Sequence, residues 1–506
     1  MNMIKELYTE TKKHKRRFNL LIFIAVVLFE MIFIFGNYSK KAGAEDGWLL
    51  LFYSMPIMNC LFFPAVIAGF TSRLMDIEHK GDMLKCLYTF TTPVRIFYTK
   101  YLYGTISILV LVFMQCCALF LCAEMLRFPS SVPHSYMLLY CAYTFLTCVM
   151  LFSLHMILSY FFRNQAVGIS TGLIGSFLGL FSSFLPKSLF QKILPWSAFV
   201  NGMFVRMDWD KETNDTVLFL EKPDFSAFLI CAFWIFLLSA VSLILLKRAG
   251  VEENERSKNV EKNGKIMIHK RPVEVLKLKG SPAWIAFIIV PLISAIIGTI
   301  NYRENLGILT EGWYSLWTQH TLFLCYFFMP VIIGIFTGCI WRVDHHGTNM
   351  NLLMTHQRPS RIVLGKFGAT CFITTVSILW VTFLYTAAGF ILKIDGTLPK
   401  GLVSWLLMGV LGAFAICAFQ IFISLVIRNF ILPIMIAFVG GFAGIGCVSK
   451  GYFYLTPFSL FDLAMNQREL GTADIGRFIM ASIVMIVLFI FLSILYLNRA
   501  DVRTHE

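Results

Sequence analysis

Apolar blocks of about twenty residues, parted by short charged breaks, run through almost the whole chain and constrain what it can fold into. A helix of that length crosses roughly 30 Å of hydrocarbon. Inside hydrocarbon, every backbone N–H and C=O must find its partner within the helix. Composition agrees, since 58% of the 506 residues are apolar and only 14% are charged. A soluble domain carries about 25% charged residues, so an ordinary globular enzyme is excluded. The blocks predict twelve spans. The first six lie near 18–36, 48–72, 101–126, 136–162, 166–185 and 225–246. The second six lie near 281–300, 314–340, 367–392, 402–427, 430–449 and 476–497. The first block lacks the short apolar core and small-residue cleavage site of a signal peptide, and reads as a retained span.

The net charge of +14 would suggest nucleic acid in a soluble chain. Here its distribution gives orientation instead. An even number of spans puts both termini on one side, and that side holds 29 of the 43 Lys and Arg residues. Basic loops stay in the cytoplasm, so both termini are expected there. The cytoplasmic parts carry 13 acidic residues and a balance of +16, the remainder a balance of −2. No nucleic-acid partner is needed. Of the 13 cysteines no two are three apart, so no Cys-x-x-Cys metal or redox motif exists and no metal site is expected. Cys116 and Cys117 read as packing within a span.

The chain repeats itself. A shift of 266 aligns residues 62–100 with 328–366 without a gap, and 13 of those 39 positions are identical. Ser159, Arg163 and Asn164 match Ser424, Arg428 and Asn429 at a shift of 265, and Glu10, Lys13 and Lys15 match Glu274, Lys277 and Lys279 at 264. Six spans per copy give both copies the same orientation, a parallel repeat. The domains are then a first six-span half at 1–250, a linker with an interfacial helix at 251–280 and a second six-span half at 281–506. The N-terminal segment and the later linker mix apolar and basic residues, and fit short helices on an anionic inner leaflet.

The best-matched region is the inner loop after the second span of each half, EHKGDMLKCLYTFTTPVRIFYTK at 78–100 and DHHGTNMNLLMTHQRPSRIVLGK at 344–366. Each reads acid-His, Gly, a helix-like stretch, Pro, Arg and Lys. Such a loop is too polar for lipid and can present a short helix to a soluble partner. The plainer alternative is a solvated loop whose cations only set topology.

These loops, with the basic Glu-x2-Lys-x-Lys start, resemble the permease subunits of type-2 ABC exporters, especially lantibiotic-immunity permeases. The resemblance implies an all-α polytopic membrane fold of twelve transmembrane helices, built as two parallel six-helix repeats in one polypeptide. It implies a separate cytoplasmic ABC ATPase, two copies of it, which binds ATP and Mg and docks on the inner loops. Position by position, the docking candidates are Glu78, His79, Gly81, Lys85, Pro93, Arg95 and Lys100, then Asp344, His345, Gly347, Pro359, Arg361 and Lys366. In the second loop Asp344 stands for Glu and Asn351 for Lys85, a weaker match. The implied cargo is an amphipathic antimicrobial peptide such as a lantibiotic, expelled across a bacterial cell membrane. No Gly-x4-Gly-Lys-Ser/Thr phosphate loop occurs, so ATP hydrolysis falls to the partner and no cofactor to this chain.

Ionisable groups inside spans are functional candidates. His155 aligns with Gln420 at the shift of 265, and both either line a path or hydrogen-bond between helices. Glu30 lies in the first span, where it either joins that path or reaches interfacial water. Gly168 and Gly172, then Gly440 and Gly444, give Gly-x3-Gly spacing in the fifth span of each half, a close helix seam and a place for the halves to meet. Segments 187–204 and 450–467 fit short outer helices among lipid headgroups. Two other classes compete. A twelve-helix ion-coupled transporter of the major-facilitator type should show intramembrane acid pairs and a Gly-rich Asp-Arg loop, and an intramembrane enzyme should show a motif such as Gly-x-Ser-x-Gly. Neither set of features is present.

Overall fold

The computed structural model describes residues 3–14, 19–39, 43–79, 83–128, 134–162, 165–182, 189–209, 216–256, 282–345, 349–466 and 472–499. The backbone divides into two compact units, Met1–Lys265 and Ile266–Glu506. Among the described residues, eleven helices are long and apolar enough to cross a membrane, and Val167–Ser182 is a shorter apolar helix. This is an all-α polytopic membrane protein.

The first unit begins with α1 (Met3–His14), α2 (Asn19–Tyr38), α3 (Gly47–His79) and α4 (Met83–Tyr88). There follow α5 (Pro93–Met125), α6 (His134–Phe161), α7 (Gln165–Ser182), α8 (Leu189–Ile193) and α9 (Ala198–Asn201). A two-stranded antiparallel ribbon, β1 (Val205–Trp209) with β2 (Thr216–Leu220), precedes α10 (Phe225–Arg256). The second unit holds α11 (Ala286–Glu304), then α12 (Trp313–Phe323), which runs through a π turn (Leu324–Phe328) into α13 (Met329–His345). It continues with α14 (Asn349–His356), α15 (Pro359–Ile391), α16 (Leu402–Val426), α17 (Ile431–Ser449), α18 (Pro457–Asn466) and α19 (Thr472–Arg499).

A helix apolar on every face belongs either in a core or in lipid, and burial separates the two. In α3 and in α12–α13, 83% of the most apolar stretch is buried, against 22% in α10 and 17% in α19. The second long helix of each half is therefore its central post, and the last helix keeps most of its surface open for lipid. Glycine seats the fifth helix on that post. A Cβ at Gly172 would lie 2.7 Å from the Pro64 carbonyl oxygen and 2.5 Å from the Ala68 Cβ. In the second half, Pro330 has no N–H to offer the carbonyl of Tyr326 four residues earlier, and the helix widens into the π turn there. Gly441 lets α17 close on that carbonyl, because a Cβ would collide with the Tyr326 oxygen.

Several expectations need correction. The helices outrun the apolar blocks at their inner ends: α3 continues to His79, α5 and α15 start at Pro93 and Pro359, and α10 extends through Arg256 into the expected linker. Apolar content marks where lipid can lie, whereas a helix continues for as long as protein contacts and caps support it. Pro93 and Pro359 are accordingly first-turn residues of α5 and α15, a turn that needs no N–H. The side chain of Thr92 accepts a hydrogen bond from the Arg95 N–H at 3.4 Å and caps α5. Segment 187–204 holds α8, a 3-10 turn and α9 as short helices, but the ribbon after it has no counterpart in the apolar pattern. Cys116 forms a disulfide with Cys141, because α5 and α6 run antiparallel and bring the two positions together. The later linker, 257–281, lies outside the described residues.

Candidate functional site

At the inner end of the first half, α1, α3 and α5 meet through charge. Lys100 of α5 is fully buried, and its Nζ lies 2.8 Å from Glu10 Oε2 and 3.0 Å from Glu78 Oε1. It also donates to the Leu74 carbonyl at 3.4 Å. Lys13 of α1 reaches the same two acids, at 2.9 Å from Glu10 Oε1 and 2.8 Å from Glu78 Oε1. Two cations and two anions alternate and cancel, the arrangement under which buried charge is tolerated. Burial alone would raise the Glu10 carboxyl, but His14 and the ammoniums of Lys100 and Lys13 outweigh it and hold that carboxyl well below the usual carboxylate range. Burial would lower Lys13, yet its bonds to Glu78 and Glu10 raise it. Beside this quartet, Arg95 Nε lies 2.8 Å from Glu6 Oε1, and the Thr99 hydroxyl donates to Glu6 Oε2 at 3.1 Å. The helix expected on the inner leaflet thus turns its acidic face onto the protein.

The second half has a reduced version. Asp344 and Lys366, both buried, form an ion pair, and Lys366 Nζ donates to the Ile340 carbonyl at 3.4 Å. The same ammonium stands 4.7 Å from the centre of the Trp341 ring, a cation–π contact. Both halves share one more link. His79 Nε2 donates to the Ser159 carbonyl at 2.8 Å, and His345 Nε2 to the Ser424 carbonyl at 3.4 Å. The end of the second long helix in each half is tied sideways to the fourth.

The docking candidates therefore fall into groups. Glu78, His79, Lys100, Asp344, His345 and Lys366 are engaged inside their own half, where they hold the loop by its ends. Pro93 and Pro359 start helices, while Arg95 and Arg361 are exposed. Gly81 and Gly347 lie outside the described residues, as does the side chain of Lys85. What faces outward is the short helix and the turn after it, with Met83 46% and Phe90 84% exposed. In the second half Asn349, Thr355 and His356 are exposed, and Met350, Leu353 and Met354 anchor α14 in a core of Trp341, Ile362 and Leu425. Sequence reasoning missed Phe90 and Met83, since a lone apolar residue in a loop gives no periodic signal. It also missed the lock formed by Glu10 and Lys13, although both recur in the repeat.

Inside the spans the outcome differs by residue. Glu30 is 2% exposed and does not reach interfacial water; its Oε2 accepts from Gln115 Nε2 at 2.8 Å. Gln115 in turn donates to Asn59 at 2.6 Å, and Tyr140 donates to Gln115 Oε1 at 3.0 Å, which makes a buried polar cluster. His155 and Gln420 are both fully buried in their own halves, and their polar side-chain atoms have no hydrogen-bond partner among the described residues. The interhelical hydrogen bond expected there is not formed. The glycines are used within each half: Gly168 faces Ser72, Gly172 faces Pro64 and Ala68, and Gly440 and Gly444 face Phe458.

A multi-span helical protein with two like halves, each carrying a clamped loop helix beneath its central post, has the form of a membrane transport subunit. The chain belongs to the ABC-2 family transporter proteins, whose family model matches residues 6–179 and again residues 272–444. Those matches start 266 residues apart and end 265 apart, the register of the internal repeat. Family and fold together make it a membrane transport component of the ABC type, and the major-facilitator alternative is not favoured. No curated protein matches the chain.

Proposed function

We propose that this chain supplies both permease halves of an ATP-driven exporter in a bacterial cell membrane, with both termini cytoplasmic. A separate cytoplasmic ATPase, present in two copies, binds ATP and Mg and docks on the loop helices α4 and α14. The cargo is an amphipathic antimicrobial peptide of the lantibiotic kind, and its removal protects the cell. One observation carries the docking reading. In each half a short helix follows the most buried helix in sequence, and a buried acid–lysine pair joins that buried helix to the long helix after the loop. A push on the short helix is transmitted to the central post, because the pair leaves no slack between α3 and α5 or between α13 and α15. The excess of cytoplasmic Lys and Arg supports the orientation.

The experiment is purification of the chain with the products of its neighbouring genes. A soluble ATPase is expected to co-elute. Gly81→Pro with Gly347→Pro, and separately Phe90→Asp, are expected to abolish that association while the detergent-solubilised chain stays monodisperse. Retention of the ATPase by both variants overturns the docking assignment. Deletion of the gene is expected to sensitise cells to a cationic lantibiotic, and unchanged sensitivity across a panel overturns the cargo.

A further inference from the structure

Four helices of the first half meet at a buried polar cluster: Glu30 from α2, Asn59 from α3, Gln115 from α5 and Tyr140 from α6, each at most 3% exposed. Gln115 Nε2 donates to Glu30 Oε2 at 2.8 Å and to Asn59 Oδ1 at 2.6 Å. Asn59 Nδ2 donates to the Tyr140 hydroxyl at 2.8 Å, and that hydroxyl donates to Gln115 Oε1 at 3.0 Å. Glu30 Oε1 is buried and receives no hydrogen bond among the described residues. An ionised carboxylate has about four acceptor sites to fill, and a buried charge needs a counter-charge. Glu10 and Glu78 have lysines for that purpose, whereas Glu30 has one amide. Residues 48–72 of α3, 101–123 of α5 and 135–154 of α6 contain no Asp, Glu, Lys, Arg or His, so no charged side chain faces Glu30 from them. The titratable groups within its field are Tyr140 and Cys148 of α6. The repeated fold does not call for this cluster. At shifts of 264 to 266 Glu30 meets Ser294, Ala295 or Ile296, while Asn59, Gln115 and Tyr140 meet Cys325, Val381 and Trp405. The second half packs without it.

We propose that Glu30 is a reversible proton-binding site, served in both of its states by the two amides and the phenol around it. In the arrangement described, Tyr140 donates to Gln115 and Gln115 donates to Glu30, so the donors point onto a charged carboxylate. An amide exchanges its oxygen and nitrogen by a half-turn of its terminal bond. With both amides turned, each bond keeps its place and reverses its sense. Glu30 Oε2–H then donates to Gln115 Oε1, as does Asn59 Nδ2. Gln115 Nε2 donates to the Tyr140 hydroxyl, and that hydroxyl to Asn59 Oδ1. The step adds one proton from water at Oε2, cancels one negative charge and makes or breaks no other covalent bond. The disulfide joins Cys116 to Cys141, the sequence neighbours of Gln115 and Tyr140, and ties α5 to α6 at this level. The charged form gains from water at Oε1, and the neutral form does not need it. Proton occupancy is thereby linked to how tightly these four helices close. In a transport chain such a link lets one half take up a proton as it closes and release it as it opens. The inference uses neither the cargo nor the docking reading.

The test is infrared spectroscopy of the chain in dodecyl maltoside, a detergent without an ester carbonyl, with the pH stepped from neutral to acid and back. A carboxyl C=O band is expected to rise and fall reversibly. It should sit at the high-frequency edge of the carboxyl range, because Oε1 accepts no hydrogen bond among the described residues. Glu30→Gln, which keeps the shape of the side chain, is expected to lose the band, and Glu30→Asp to restore a titrating band at a changed frequency. Gln115→Leu removes the partner of Oε2 and is expected to move the band further up, with Tyr140→Phe moving it less. A purely structural cluster gives no Glu30 band that responds to pH. Absence of a Glu30-dependent band, or a Glu30 band that ignores pH, overturns the proposal. If Glu30→Gln does not stay monodisperse, the shift in Gln115→Leu makes the assignment, and an unshifted band there overturns it as well. Co-elution of the ATPase is measured separately, and its loss from the parent chain counts against the docking reading and not against this one.

Discussion

Replacing Lys100 by Met should damage the protein far more than replacing Lys13 by Met, although both lysines touch the same two carboxylates. The side chain of Lys100 is 1% exposed and that of Lys13 is 31% exposed. Without Lys100, Glu78 at 1% exposure and Glu10 at 8% share one remaining cation, which water already screens. Leaving a buried charge uncompensated costs about 3–5 kcal/mol. Loss of the partly exposed Lys13 should cost about 1 kcal/mol, nearer the range of surface pairs. Removing charge of both signs tests whether the penalty is electrostatic. Glu78→Gln with Lys100→Met leaves Glu10 facing Lys13, and should recover about 1–3 kcal/mol relative to the sum of the single changes. The assay is the temperature at which half the protein leaves the monodisperse peak in detergent, measured for the parent, each single variant and the double. Equal losses for Lys13→Met and Lys100→Met, or strict additivity in the double, would refute the claim that α1, α3 and α5 are joined by a buried, mutually compensating quartet.

Acid should release α1 before it melts the spans. The Glu10 carboxyl is lowered from its unfolded value of 4.5, so its contribution is complete above that pH and is lost as the pH falls below it. Lys13 is raised from 10.5, so its contribution is lost only as the pH climbs above that value. Protection of Met3–His14 against hydrogen exchange, taken relative to the intrinsic rate at each pH, should therefore fall below about pH 4.5, and Glu10→Gln should show reduced protection at neutral pH as well. Gly441→Ala should prevent the second half from reaching its native packing, through collision with the Tyr326 carbonyl, whereas Gly446→Ala should be silent because nothing lies within 4 Å of its added carbon; parallel purification yields and thermal midpoints decide. His155→Leu and Gln420→Leu should be neutral or stabilising by up to about 1 kcal/mol, as both polar groups are buried without a hydrogen-bond partner among the described residues. A drop in thermal midpoint for either would show that the group is satisfied by bound water.

Membrane residence, the number of apolar blocks and the two-fold repeat follow from the sequence alone, because each depends only on composition and spacing along the chain. So does the position of the clamp residues: Glu78 with Lys100, and Asp344 with Lys366, recur at a fixed shift. Their role was decided by tertiary structure. Acid, histidine and lysine in a polar loop read as an exposed surface, yet three helices in the first half and two in the second converge on the acid–lysine pairs and remove them from water, so they act as struts. The exposed tip passed instead to Phe90 and Met83, whose prominence depends on what fails to pack against them. The β1–β2 ribbon was equally hidden, since ten residues of ordinary strand propensity between two long helices carry little signal of their own. Periodicity records which solvent a segment prefers, and that is local. Which charges end up facing one another depends on where distant helix ends are brought, and only the folded chain sets that.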